Sequence, residues 1–243
     1  MAWRESTCIF QPRHVSELRK AIPLILDANV SFAVRSGGHC PHHSCANSDG
    51  GVLIDMANFD QLDFKQEGQV ATVGLGLTWG EIYTYLESYQ HVVVGGRILD
   101  VGVGGSTFGS GLSWLRIFMA WLVVLTNGSL AHASAEENVD LFWALKGGGN
   151  NFGVVAALSL TAYPLGQVWR GINKYNIEDL PALMNAYNEY QSVINKDPYA
   201  NLIMLASATN ASLGVWVSMI YLKPQENHTA FSAFYGINTR QGL

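Results

Sequence analysis

Short apolar runs separated by glycine-rich turns set the rhythm of the chain up to Gly166. Residues 30–34, 52–56, 70–73, 91–94, 122–125 and 154–163 each read as a buried strand, bounded by turn residues and rich in valine and leucine. Helical spacing of apolar positions marks residues 15–29, where the interior Pro23 predicts a kink. A second helix is predicted over residues 78–86 with Thr78 as its N-cap. Asn138 predicts the cap of a short helix through Leu145. After Gly166 glycine thins out, and a helix over 180–193 stands among strands at 168–175, 202–208 and 213–222. This change of texture predicts a boundary near Gly166 within a mixed α+β fold. The shorter second part is expected to close no core of its own.

Three of the turns are unusual. The first is Arg35-Ser36-Gly37-Gly38-His39, directly after a strand. The second is Gly102-Val103-Gly104-Gly105-Ser106-Thr107, continuing to Gly111, and the third runs from Gly147 to Gly153. Paired glycines after a strand allow a tight turn and close approach to a ligand. Successive backbone N–H groups in such a turn form a concave anion site. Together the clusters point to a large phosphate-bearing cofactor. Neither standard nucleotide fingerprint fits: Thr107 stands where the dinucleotide motif needs glycine, and no cluster runs into Gly-Lys-Ser/Thr. The alternative is that the glycines serve only turns and strand packing, with His39 an ordinary hydrogen-bonded histidine.

Composition narrows the partners. Of 243 residues, 49% are hydrophobic and 14% charged, and the net charge is −5. The acidic balance and lack of Lys/Arg clusters argue against nucleic acid. No apolar run is long enough for a membrane helix. Charged Arg4 and Glu5 follow Met1 closely, so no signal peptide is expected in this chain. Sequons at Asn127, Asn210 and Asn227 are short enough to arise by chance, and the compartment is left open. Cys8, Cys40 and Cys45 are an odd count, read as no disulfide framework. Cys40 and Cys45, among His39, His42 and His43, also raise a zinc module as a lesser alternative; no metal site is assigned.

Val34-Arg35-Ser36-Gly37-Gly38-His39, followed by Asp49-Gly50-Gly51-Val52-Leu53-Ile54-Asp55-Met56, resembles the FAD-binding domain of the vanillyl-alcohol-oxidase or berberine-bridge-enzyme family. Residues 94–113 are similar to that family's second flavin-binding segment, and residues 137–155 to its third. The chain looks most like the fungal FAD-linked oxidoreductases, many of which serve secondary metabolism. The resemblance implies a PCMH-type FAD-binding domain of two α/β subdomains over residues 3–166, then an incomplete α+β substrate domain over 167–243. It implies FAD, a small-molecule substrate giving up a hydride, and molecular oxygen as the acceptor.

The resemblance also assigns roles. His39 matches the histidine bonded covalently to the flavin's 8α carbon. Arg35, Ser36, Gly37 and Gly38 would cradle the pyrophosphate. Gly102, Gly104, Gly105, Ser106 and Thr107 would line its other side and reach the ring. Gly153 and Val155 would lie against the adenosine end. Ile98 stands where some relatives carry a second, cysteine link, so a single link through His39 is expected. The chain departs from the pattern at residues 115–121, where an apolar run replaces a polar ring-contacting loop. The resemblance implies a longer protein whose remaining substrate domain follows Leu243, so no catalytic base is assigned. An inactive remnant of such an enzyme is the rival reading.

Overall fold

The structure, a computed structural model, describes residues 5–42, 45–109, 118–149, 151–209, 212–239 and 241–242. The chain forms two compact units, Met1–Leu165 and Gly166–Leu243.

The first unit holds two sheets. A parallel three-stranded sheet has the order β1 (Cys8–Phe10), β3 (Val52–Asp55), β2 (Phe32–Arg35). Helix α1 (Val15–Asp27) connects β1 to β2 and buries Leu18 and Ile22. It runs through Pro23 and does not end there. Proline has no N–H for the Arg19 carbonyl four residues back. The turn at Gly128 comes against that same carbonyl, and Arg19 Nε donates to Gly128 O at 3.0 Å. A neighbouring loop thus packs against the helix at the turn where the proline removes a hydrogen bond.

The larger sheet is antiparallel, in the order β4 (Leu62–Lys65), β5 (Val70–Gly74), β9 (Val154–Pro164), β7 (Phe118–Val124), β8 (Leu130–Ser134). β9 is its spine, pairing with β5, β7 and, at its far end, β6 (His91–Val93). Its near-continuous apolar sequence suits a strand buried on both faces. Helix α2 (Trp79–Glu87) starts at Thr78 as predicted, with a reciprocal capping box: Glu81 N–H donates to Thr78 Oγ1, and Thr78 N–H donates to the Glu81 carboxylate at 2.7 Å. Asn138 does precede α4 (Val139–Ala144), but in a left-handed conformation and without capping it. Its amide instead donates to His132 O at 2.7 Å. The second glycine cluster, read as a loop, winds its first part into a short helix, α3 (Val103–Phe108). Tertiary contacts override the low helix propensity of glycine there.

In the second unit an antiparallel sheet has the order β11 (Ala200–Thr209), β12 (Ser212–Tyr221), β10 (Trp169–Tyr175), β13 (Gln241–Gly242). Alternate residues of β12, from Val215 to Tyr221, are buried with Tyr175 against Leu183 and Ala186 of α5 (Leu180–Ser192). Phe231 and Phe234, the latter in α6 (Ser232–Tyr235), complete the cluster. The expectation that this part closes no core of its own is thus corrected. One sheet face covered by two short helices is enough to exclude water from nine side chains.

Candidate cofactor cavity

The first glycine turn and α3 are built on each other. A Cβ on Gly37 would lie 2.6 Å from the Gly102 backbone, and one on Gly102 would lie 2.2 Å from Gly37 N. Only two glycines allow this approach. Ser36 Oγ donates to Leu75 O at 2.5 Å and accepts from Gly104 N–H at 3.2 Å, locking the turn to the end of β5 and the start of α3. Gly38 adopts the left-handed region, φ 65°, which carries the chain sharply into His39. On the other side of α3, Val103 N–H donates to Leu77 O at 3.0 Å and Trp79 N–H to Val101 O at 3.1 Å. The flat Trp79 indole lies against Gly95 and Gly96 and donates to Ser106 Oγ at 2.8 Å. Gly149 N–H donates to Phe108 O at 3.1 Å, which joins the third cluster to the second.

These contacts enclose a cavity of about 470 Å³, within the range of small-molecule and cofactor sites. Its wall includes Ser36, Gly37, Gly38 and His39 from the first turn, Gly102, Gly104, Gly105 and Ser106 from the second cluster, and Gly153 and Val155 from the third. Ten of the twelve residues singled out in the sequence therefore meet around one space.

Arg35 and Thr107 are not among its lining residues. Arg35 Nη2 lies 2.8 Å from Asp55 Oδ2, and Gln11 donates to the same oxygen at 3.1 Å. Burial pushes the Asp55 carboxyl up, but the Arg35 guanidinium and the Gln11 amide outweigh it and hold the group below its ordinary value. Thr107 is buried, and its hydroxyl donates to Val103 O at 2.6 Å. Of the stretch at 115–121 that departs from the family pattern, residues 115–117 lie outside the described residues, as does the Asn210 sequon, and the rest opens β7.

Sequence reasoning missed part of the wall. Val34, Met56 and Leu75 contribute apolar surface from strand ends, and Cys40 and Cys45 line it beside His39. Cys40 and Cys45 are joined in a disulfide, while Cys8 is free and exposed. The odd count, read as no disulfide framework, thus leaves Cys8 over while the other two cysteines pair. The pairing also removes the basis of the zinc module, because two bonded sulfurs offer no thiolate to a metal. No arginine or lysine appears among the described lining residues. Anionic charge in this cavity would have to be met by backbone N–H groups, the task glycine-rich turns perform. Gly105 and Gly149 leave open space where a Cβ would stand. The residues present thus fit a flat, partly apolar group joined to a phosphate bridge.

The family model of the FAD binding domain matches residues 6–134, which include the first turn and α3. An FAD-dependent monooxygenase of Arthrobotrys oligospora is 36% identical, the match covering 97% of this chain and 47% of that protein. Among solved structures, BBE-like 1 of Physcomitrella patens aligns over all of this chain and 56% of its own, with a TM-score of 0.85 and 19% identity. A glucooligosaccharide oxidase of Acremonium strictum, described as carrying a 6-S-cysteinyl, 8α-N1-histidyl FAD, covers 91% of this chain and 48% of its own at TM-score 0.77 and 21% identity. The chain spans about half the length of the curated relatives it matches. The shared α+β fold, the glycine turns that interlock around one cavity and the match of the domain model have one common source: the chain belongs to the FAD binding domain family.

Proposed function

We propose that this chain is the flavin-holding part of an FAD-linked oxidoreductase that oxidises a small organic substrate. The observation that carries this reading is the convergence of three glycine clusters on one cavity with His39 in its wall. When bound, FAD would supply the acceptor for a hydride from the substrate, with molecular oxygen as the final acceptor.

The chain's own residues divide the task. His39 offers an imidazole nitrogen for a covalent bond to the flavin 8α carbon, as the histidyl FAD of the Acremonium oxidase suggests. Backbone N–H groups of residues 36–39 and of Gly105 are the donors assigned to the pyrophosphate. Ser36 and Ser106 act indirectly: their hydroxyls bond protein partners and hold those donors in place. Arg35 anchors the turn through Asp55 and leaves the wall uncharged. Gly153 and Val155 take the adenosine end. Ile98 leaves the cofactor a single link. Residues 167–243 belong to a substrate domain.

Purified protein with FAD should absorb in the blue and keep flavin fluorescence in the acid-precipitated pellet. His39→Ala should leave the pellet colourless while the soluble protein still binds FAD reversibly. Fluorescence retained in the His39→Ala pellet would remove the assignment.

A further inference from the structure

The Cys40–Cys45 pair stands immediately after His39, and both residues line the cavity together with it. The flanking backbone is fixed on both sides. Gly37 is packed on Gly102, and Ser36 bonds Leu75 and Gly104. Downstream, Ser48 is buried, and its hydroxyl lies 3.2 Å from that of Ser31. Between these anchors the disulfide ties positions five residues apart, with Cα atoms 6.1 Å from each other.

The stabilisation a disulfide gives the fold grows with the logarithm of the loop it closes. A loop this short gains less than a long one, and the tie is local: it fixes Cys40, the residue next to His39, to Cys45. Both cysteines are exposed at the cavity, within reach of dissolved thiols. Exposed disulfides are the readily reduced ones.

We propose that Cys40–Cys45 is a reversible redox site in the wall of the cofactor cavity, and that its state sets how tightly the cavity holds flavin. In the redox step a dithiol reductant gives up two electrons and two protons. The Cys40–Cys45 bond breaks to two thiols, and the reductant closes to its own disulfide. The coupling to flavin rests on the FAD reading above; the redox site does not.

The free cysteine makes the chemistry countable. Without denaturant, the isolated protein should titrate one thiol per chain, Cys8, and three after treatment with a mild dithiol. Oxidised glutathione should return the count to one. Three reactive thiols at the outset, or one that persists after the dithiol, would overturn the redox site.

The coupling is read by FAD titration in a His39→Ala background, which keeps binding reversible. Reduction should weaken FAD binding on the order of tenfold, the effect of freeing about one residue's backbone beside the cavity. Cys40→Ser/Cys45→Ser should reproduce the reduced form and lose all response to dithiol. Equal affinity in both redox forms would overturn the coupling. Absence of FAD binding in either form would overturn the FAD reading and the coupling with it, while the thiol count still decides the redox site.

Discussion

Gly102, at the N-cap of α3, and Gly105, inside it, separate fold from function at the level of single residues. Gly102 is needed for packing, because a Cβ there meets Gly37 N at 2.2 Å. Gly102→Ala should therefore cost about 1–3 kcal/mol, read as a lower urea midpoint, and should lose FAD binding as well. Gly105 meets nothing within 4 Å. Gly105→Ala should keep or raise stability, by up to about 1 kcal/mol, yet weaken FAD binding because its methyl enters the cavity. A fall in stability equal to that of Gly102→Ala would contradict this division. Asp55 gives the pH arm. Its carboxyl lies below its ordinary 3.8 in the folded state, so its contribution to stability is present above that value. That contribution is lost as the pH falls through the lower folded pKa. Asp55→Asn should flatten the acid side of a stability-against-pH curve measured by urea unfolding, and an unchanged slope would count against the Arg35 pair.

Elements were legible where local chemistry suffices. The capping box at Thr78 is written in four residues, and the structure bears it out. Thr78→Ala should cost about 1 kcal/mol, measured as a shift of the urea midpoint. The strand runs of the first unit were read within a few residues, because each is apolar and flanked by turn residues. β1, β4 and β8 were missed: each is short and partly exposed, so its pattern is weak and its pairing is set by a distant partner. Helix α3 was missed for the opposite reason. Its glycines argue against a helix, and it is held from outside, by the bonds to Leu77 O, Ser36 Oγ and the Trp79 indole and by the packing of Gly102 on Gly37. Pro23 lies inside α1, and the Gly128 turn packs against the Arg19 carbonyl four residues before it.

In the whole molecule, the second unit shows how much a core depends on arrangement. Phe231 and Phe234 are fully buried beside β12 and α5. Phe231→Ala should cost about 3–5 kcal/mol, seen as faster amide exchange in β10, β12 and α5; exchange at the wild-type rate would contradict a core in this unit. The sequence by itself determined the family, the α+β class and ten residues of the cavity wall, since tight turns beside a cofactor demand glycine at fixed places. It could not exclude Arg35 and Thr107 from that wall, because both carry polar groups suited to phosphate. Only the tertiary structure decided that Asp55 draws the guanidinium aside and that Val103 takes the hydroxyl. It also decided that Cys40 meets Cys45 at the cavity. A chain's types and spacing limit what each residue can do locally, but the partner that satisfies a polar group is chosen by packing of segments far apart in sequence.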